Sequence, residues 1–161
     1  MGEKSHEYFL RKAFDIARQA REAGDHPFGC LLVGPDDTIL LEQGNAYSAE
    51  GQDMTAHAER VLATRASKQW RPDFLAECTM YTSAEPCAMC AGAVYWTGIG
   101  TVVYGQSETS LKAQTGKHDE NPTLDLPCRD VFAAGQREIK VVGPLLEAEA
   151  AQLQEDFWAS K

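Results

Sequence analysis

The chain has 161 residues, a length that suits one domain with a buried core, and we expect residues 1–161 to form a single domain. Hydrophobic residues make up 43% and charged residues 24% of the chain, a balance that excludes the disordered and fibrous classes. The formal net charge of -9 disfavours phosphate backbones and anionic lipid surfaces as partners. A small, weakly charged molecule is therefore the expected partner, rather than nucleic acid or a membrane.

The first 45 residues show the pattern of a helix followed by a β-hairpin. Residues 5–23 place their apolar side chains on one stripe, with Ser5 as N-cap and Gly24 as the stop, which predicts an amphipathic helix. Two short apolar runs, 28–33 and 38–42, flank a turn that contains Gly34 and Pro35. These runs predict the two strands of the hairpin.

Helices and strands alternate through the rest of the chain. The pattern predicts helices over 56–69, 86–96 and 145–158, strands over 78–83, 101–104 and 138–142, a break at 71–73, and a long polar loop with one helical turn over 106–130. Such an order predicts a mixed sheet covered by helices on both faces, because parallel strands need right-handed crossovers.

The N-terminus and the cysteines indicate the cellular compartment of the protein and the chemistry of its thiols. The N-terminus is charged and no apolar run of signal-peptide or membrane-spanning length follows it, so we expect a cytoplasmic protein. Five cysteines in such a chain argue against a disulfide framework and for metal binding or catalysis. Cys30, Cys78 and Cys128 are expected to be small buried side chains.

Two short motifs supply the ligands of a metal site. Cys87 and Cys90 are three residues apart on the helix predicted to open at Pro86, so their sulfurs share one face of its first turn. The positive end of the helix favours thiolates, which are the better ligands. His57, at the start of the preceding helix, supplies a nitrogen. Two sulfurs and one nitrogen select zinc over magnesium or calcium, and we predict one zinc ion per chain.

Three protein ligands leave one position of a tetrahedral zinc open, which is typical of a catalytic site that activates water. Residues two apart on a helix do not share a face, so Glu59 is predicted to carry protons rather than to bind the metal beside His57. The alternative is a structural zinc site with a fourth ligand from His118, Cys128 or Cys78. Nothing in their spacing recommends any of the three.

The motifs His57-Ala58-Glu59 and Pro86-Cys87-Ala88-Met89-Cys90 follow the H-x-E and P-C-x-x-C signature of zinc deaminases. Together with Pro27-Phe28-Gly29 and Gly44-Asn45, they make the chain resemble the cytidine deaminase-like superfamily, in the branch of bacterial guanine deaminases and tRNA-specific adenosine deaminases. The resemblance runs from about residue 27 to residue 105 and fades beyond. It implies a three-layer α/β/α sandwich around a five-stranded mixed sheet, and a homodimer.

The resemblance also implies substrate-binding residues. Asn45 corresponds to the family asparagine that hydrogen-bonds the base, and the backbone of Ala58 and Ser83 would line the pocket. Phe28 and Trp96 would stack on the base or form a wall. The alternatives are that Asn45 is a turn residue and that the two aromatic side chains pack in the core.

The C-terminal part of the chain holds three further candidates. A C-terminus with aromatic residues resembles guanine deaminases, in which the tail can close the pocket, often of a neighbouring subunit, so Trp158 is expected to bind substrate. The alternative is the apolar end of a structural helix. Asp119 and Glu120 lie in the long loop, where a carboxylate could accept the N–H donors of guanine.

These observations predict hydrolytic deamination of a small amino-heterocycle, with guanine the first purine base to test. The alternatives are a tRNA-specific adenosine deaminase, which the acidic charge disfavours, and a cytosine or nucleoside deaminase. A non-enzymatic alternative is a zinc-stabilised interaction module, against which the presence of Glu59 argues.

Overall fold

The computed structural model describes residues 4–116 and 118–160. In chain order its elements are α1 (His6–Glu22), β1 (Gly29–Val33), β2 (Ile39–Gly44), α2 (Ala58–Gln69), α3 (Pro72–Leu75), β3 (Thr79–Ala84), α4 (Ala88–Thr97), β4 (Thr101–Gln106), α5 (Glu108–Thr115), α6 (Cys128–Ala133), β5 (Lys140–Val142), α7 (Glu147–Gln152) and a 3₁₀ turn (Trp158–Ser160). Within the described residues, none of the helices has both the length and the apolar character needed to cross a membrane.

The five strands form one mixed sheet in the order β2-β1-β3-β4-β5. Strand β1 pairs antiparallel with β2 and with β3, whereas β4 pairs parallel with β3 and with β5. Helix α4 makes the crossover between β3 and β4, and α5 and α6 lie in the connection between β4 and β5. The predicted five-stranded mixed sheet is confirmed.

Alternating residues of the strands divide the core into two layers. On one face, Cys30, Met80 and Val102 pack with helices α2, α4 and α6. On the other face, Leu31 and Val103 pack with α1 and α7. Because successive side chains of a strand point to opposite faces, both faces of the sheet are covered by helices. This arrangement is the predicted three-layer sandwich.

Gly29 allows α1 to lie directly on the first strand. A Cβ atom added to Gly29 would lie 2.5 Å from the backbone nitrogen of Ala17 and 2.8 Å from the carbonyl oxygen of Ala13. The backbones of helix and strand therefore touch, with no room for a side chain between them. This close approach is the physical reason for a glycine at the end of the Pro27-Phe28-Gly29 motif.

One predicted boundary was wrong and one was confirmed around the prolines. Helix α4 begins at Ala88, with Cys87 as its N-cap in an extended conformation, so Pro86 precedes the helix instead of opening it. The predicted break at 71–73 is confirmed, because α2 ends at Gln69, and Pro72 begins the separate short helix α3. Its fixed φ and missing N–H suit the first position of a helix.

The prediction for residues 106–130 was wrong in part, because the segment contains all of α5 and the start of α6. Helix α5 buries only Glu108 and Leu111, too few apolar side chains for a readable stripe. The predicted helix over 145–158 is shorter than expected. It ends at Gln152. A right-handed helix cannot include Asp156, because the φ of this residue is 64°, in the left-handed region.

The expectation for the three cysteines outside the motif is confirmed. Cys30, Cys78 and Cys128 are buried, with exposed fractions of 0%, 1% and 0%, and all three are free thiols. They pack in the layer formed by α2, α4 and α6.

Candidate metal centre and active site

Most of the predicted functional residues lie at one edge of the sheet, where β2, β3 and β4 end. The register aligns Gly29 with Gly44 and Ala84 with Gln106, so the strand ends are level. The chain segments that follow these strand ends contain Asn45 after β2, Pro86 and Cys87 after β3, and the start of α5 after β4. In open α/β sheets, ligands bind at the edge where the strands reach their carboxyl ends.

The metal-binding group consists of His57, Cys87 and Cys90. His57 is the N-cap of α2 and Cys87 is the N-cap of α4, yet neither side chain caps its own helix. Both turn toward Cys90, which lies in the first turn of α4. The Nδ1 atom of His57 is 3.7 Å from Sγ of Cys87 and 3.6 Å from Sγ of Cys90. Two helix starts thus bring one nitrogen and two sulfurs together.

The three atoms fit a zinc ion. All lie within 4.8 Å of one another, and the nitrogen–sulfur distances match the spacing of about 3.6 Å that tetrahedral Zn–N and Zn–S bonds of roughly 2.05 and 2.3 Å require. Among the described residues, no fourth histidine, cysteine or carboxylate joins this group. A three-ligand set of this kind leaves a position for water, in contrast to a closed structural site.

The electrostatics of the group favour a thiolate. A hydrogen bond from the Cys90 thiol lowers the pKa of Cys87 to about 4, and the hydrogen bond to His57 acts in the same direction. The same hydrogen bond, together with burial, raises the pKa of Cys90. The lowered pKa favours the thiolate form of Cys87, which is the form in which a cysteine ligates zinc.

Glu59 lies in the first turn of α2 beside the metal group but outside it. Its side chain is buried, with an exposed fraction of 5%, and this burial raises its pKa to about 7. The negative charge of Glu59 acts on both His57 and Cys90. A buried carboxyl group with a pKa near neutral pH is of the kind that can act as a general acid and base.

Three predicted pocket residues hold the beginning of β1 against its neighbours. The backbone N–H of Asn45 donates to the carbonyl of Phe28 at 3.1 Å, and the Asn45 side-chain oxygen accepts from the N–H of Tyr47 at 2.9 Å. The Ser83 hydroxyl oxygen accepts from the N–H of Gly29 at 3.1 Å. Ala58, the first residue of α2, is buried next to His57.

The C-terminal segment folds back onto the same edge. Trp158 is buried, with its ring centroid 4.7 Å from His26, 5.1 Å from His118 and 6.4 Å from Phe28. We call these four residues and Phe157, whose ring is 5.0 Å from that of Trp158, the C-terminal aromatic cluster. The tail of this chain therefore packs on Phe28 of the same chain.

Hydrogen bonds fix the cluster to the body of the domain. The indole N–H of Trp158 donates to Gln154 at 2.8 Å, and the Gln154 amide donates to the carbonyl of Pro27 at 2.9 Å. The carboxylate of Glu120 lies 2.9 Å from Nε2 of His26. Asp119 is exposed. Of the two loop carboxylates predicted from the sequence, Glu120 is the one that contacts the cluster.

Trp96 is not brought together with the metal group in this chain. Its side chain is 83% exposed on the outer face of α4, where its ring contacts that of Tyr95. Cys90 lies on the buried face of the same helix.

Two buried carboxylates of this edge were not assigned a role from the sequence. Glu85 accepts the backbone N–H of Glu108 at 3.0 Å with one oxygen and that of Cys128 at 2.8 Å with the other, so it holds the starts of α5 and α6 together. Glu108 itself is 5% exposed. Glu85 adjoins the cysteine motif, but its partners lie 23 and 43 residues away. No local pattern could have indicated these contacts.

Comparison with known proteins agrees with this geometry. A family model described as the cytidine and deoxycytidylate deaminase zinc-binding region matches residues 3–106. A probable cytosine deaminase of Schizosaccharomyces pombe is 41% identical over 150 residues, which are 93% of this chain and 90% of that protein. The guanine deaminase of Bacillus subtilis is 36% identical over 116 residues, covering 71% and 72% of the two chains.

A solved structure has the same fold. The guanine deaminase of Nitrosomonas europaea superposes with a TM-score of 0.78 at 26% identity, over 99% of this chain and 87% of that one. The likeness extends past residue 106, where the family model ends, and so includes the segment with α5, α6 and the C-terminal tail.

Proposed function

We propose that this chain, which belongs to the cytidine and deoxycytidylate deaminase zinc-binding family, deaminates a small amino-heterocycle and that a free base such as guanine is its substrate. The observation that carries the proposal is the three-ligand group of His57, Cys87 and Cys90 with the buried carboxyl of Glu59 beside it. Zinc fits these ligands, and the family is a zinc-binding one.

Zinc bound at this group supplies Lewis-acid chemistry that makes a water molecule a nucleophile near neutral pH. Glu59 takes the proton that the water loses as it attacks the ring carbon bearing the amine. Glu59 gives this proton to the ring nitrogen, then takes the proton of the hydroxyl group now bonded to the ring carbon and passes it to the amine. The carbon–nitrogen bond breaks, ammonia leaves and the hydroxyl oxygen becomes a carbonyl oxygen. His57, Cys87 and Cys90 hold the metal and take no part in proton transfer.

The surrounding residues form the proposed base pocket. Phe28 and Trp158 form an aromatic wall, and Asn45 together with the backbone of Ala58 and Ser83 contacts polar atoms of the base. The support for this role is the position of these residues at one sheet edge and the contact between the rings of Phe28 and Trp158. Asp119 and Glu120 are proposed to read N–H donors from the outer side of the pocket, next to the C-terminal aromatic cluster.

We also propose that the chain acts as a homodimer. Trp96 is 83% exposed on α4, and an aromatic side chain so placed suits an interface between subunits. In such a dimer, the side chain of Trp96 could reach the substrate pocket of the partner subunit. Its predicted role as a wall of the pocket would then apply to the partner's pocket. The molar mass in solution, measured by light scattering for the wild type and for Trp96→Ser, tests this proposal, which predicts a dimer weakened by the substitution.

Guanine is supported as substrate by the similarity to guanine deaminases of two organisms. Cytosine is a second candidate because the probable cytosine deaminase aligns over nearly its whole length. An anticodon stem is disfavoured, because binding it calls for basic residues over an extended surface and this chain has a net charge of -9.

Ammonia release from a panel of compounds tests the proposed function. The panel contains guanine, cytosine, adenine, guanosine, cytidine and tRNA, each assayed with the zinc-loaded protein. We expect turnover of a free base, with guanine preferred, and little turnover of tRNA. Deamination of tRNA alone would refute the proposed substrate class, and failure to release ammonia from every compound would refute the function.

A further inference from the structure

Arg60 breaks the usual charge pattern of a helix start. It is the third residue of α2, in the first turn of the helix whose N-cap is His57 of the metal group. The N-terminus of a helix carries partial positive charge, so a cation in the first turn is disfavoured. A local rule broken at this place points to contacts of the Arg60 side chain that outweigh the repulsion.

The guanidinium group of Arg60 turns back and binds the segment before the helix. Its Nε–H donates to the carbonyl oxygen of Thr55 at 2.7 Å, and its Nη2 atom lies 3.7 Å from the carboxylate of Asp53. On the other side, Nη1 donates to the hydroxyl oxygen of Thr64 at 3.2 Å. These contacts hold a side chain that is only 26% exposed.

The segment that Arg60 binds is a tight turn that leads directly to His57. The Asp53 carboxylate accepts from the backbone N–H of Thr55 at 2.8 Å and from the Thr55 hydroxyl at 2.7 Å. The carbonyl oxygen of Asp53 accepts from the N–H of Ala56 at 3.0 Å. Residues 53–56, which we call the 53–56 turn, are therefore closed on themselves and tied to α2 by Arg60.

The path of the main chain at His57 decides where its ring lies. His57 is an N-cap residue with extended backbone, and its side chain makes no hydrogen bond to the helix. The ring atom that faces the sulfurs of Cys87 and Cys90 is Nδ1, at 3.7 and 3.6 Å. Because Nδ1 is the ring nitrogen nearer the main chain, a shift of the backbone moves it with little room for correction by the side chain.

We propose that Arg60 is a positioning residue for His57: by fixing the 53–56 turn, it keeps the imidazole at the distance from Cys87 and Cys90 that a zinc ion requires. The proposal goes beyond the deamination reaction, since it concerns affinity for zinc, and it holds whichever base is the substrate. Residues that orient metal ligands change metal affinity by about 10- to 100-fold when they are removed. We expect the lower end of this range, because Arg60 acts through the main chain.

The zinc dissociation constants of Arg60→Met and Arg60→Gln, measured by competition with a chromophoric chelator, test the proposal. Methionine keeps the apolar stem and removes every donor, so zinc should bind about tenfold less tightly. The amide nitrogen of glutamine is as many bonds from the main chain as Nε of arginine, so it can donate to the Thr55 carbonyl. Arg60→Gln should therefore recover most of the loss and bind zinc within about threefold of the wild type.

Arg65→Met is the matched control. Arg65 lies on the same helix and also donates to a main-chain carbonyl, that of Glu42, at 2.8 Å. Glu42 belongs to β2 and not to the turn before His57. The zinc affinity of Arg65→Met should stay within about twofold of the wild type. Equal zinc affinities of the wild type, Arg60→Met and Arg65→Met would overturn the proposal.

The spectrum of bound cobalt(II) separates positioning from a loss of stability. Cobalt(II) in place of zinc absorbs visible light, and its bands depend on the geometry of the ligands. Arg60→Met should shift these bands, whereas Arg65→Met should keep the wild-type spectrum even if urea unfolding shows that both variants are equally destabilised. A purely structural Arg60 would leave the cobalt spectrum unchanged in both variants, which would contradict its positioning role.

Asp53→Ala tests the same turn independently, including the case in which Arg60→Met does not fold. It removes the acceptor of the two Thr55 donors and the partner of Arg60, so zinc affinity should fall about tenfold. The double variant Asp53→Ala with Arg60→Met should lose less than the product of the two single effects, because both release one turn. Unchanged zinc affinity in Asp53→Ala would overturn the proposal. Zinc binding is measured without substrate, so a failure to release ammonia would refute the proposed function alone.

Discussion

Glu59 and His57 are two residues apart, yet they serve different parts of the site. His57 is the N-cap of α2 and turns its ring toward the two cysteines, whereas Glu59 is already in the first helical turn and is buried beside them. The start of the helix therefore separates the histidine of the metal group from the carboxyl group that we propose carries protons. Cys87 and Cys90 repeat the arrangement at the start of α4, with one N-cap residue and one residue of the first turn.

Glu59→Gln is expected to lower kcat by two to four orders of magnitude, because the amide cannot accept and release the proton. The zinc content should remain that of the wild type, since Glu59 is not part of the ligand group. Steady-state ammonia release and elemental analysis measure the two quantities. Glu42→Gln, on the exposed side of β2, is the control and should behave like the wild type. A Glu59→Gln protein with undiminished kcat would show that another group moves the proton.

The ligand set could be predicted from the sequence because the spacing of His57, Cys87 and Cys90 carries its own chemistry. The positions of Glu85 and Glu108 could not be predicted. Each depends on contacts between segments that lie far apart in the chain, and the start of α5 is marked by Ser107, an N-cap within a polar stretch. Asp119 and Glu120 were chosen in the same segment, but their placement depends on how α5 and the tail pack.

The close contact between helix α1 and strand β1 fixes the position of the strand, and Phe28 is the residue immediately before this strand. Gly29→Ala would force a Cβ atom against the backbone of α1. We expect a loss of about 1–3 kcal/mol in the free energy of unfolding, measured by urea denaturation. Gly92→Ala is the matched control, because a Cβ there meets no atom within 4 Å and alanine in a helix stabilises by roughly 0.5–1 kcal/mol. Equal stabilities for the two variants would contradict the close packing.

Glu85 joins the starts of α5 and α6, and its removal should loosen both. Glu85→Ala leaves the N–H groups of Glu108 and Cys128 without their acceptor, at a cost of about 1–3 kcal/mol for each buried donor. Hydrogen exchange should show faster exchange at these two amides, while the amides of α1 remain protected. Glu85→Gln keeps one acceptor oxygen and should show a smaller effect. Unchanged exchange at both amides in Glu85→Ala would show that other acceptors replace the carboxylate.

The extent of α5 and α7 was the weakest part of the prediction. Amphipathic α1 was placed correctly within one residue at each end because its apolar stripe is continuous. Helix α5 is polar over most of its surface, and α7 ends before a left-handed residue, Asp156. Neither helix has the regular spacing of apolar residues from which a helix is predicted, so their bounds could not be read from the sequence.

At the scale of the whole molecule, three layers deliver the functional residues to one edge of the sheet. Helices α2 and α4, on the same face, present their N-termini side by side, and this arrangement brings three ligands from two separate motifs to one point. The C-terminal segment crosses to the same edge and places Trp158 against Phe28. Recognition of a small ligand between these parts agrees with the acidic character of the chain.

The zinc stoichiometry of the purified protein, measured together with its ammonia-releasing activity, tests the proposed metal centre. We expect one zinc ion per chain, loss of activity in proportion to zinc removed by a chelator, and recovery when zinc is restored. Cys87→Ser should lose both zinc and activity, whereas Cys78→Ala, a buried cysteine outside the ligand group, should keep one zinc ion. A zinc-free protein with full activity, or a Cys87→Ser protein that retains both its zinc and its turnover, would refute the proposed zinc-dependent active site.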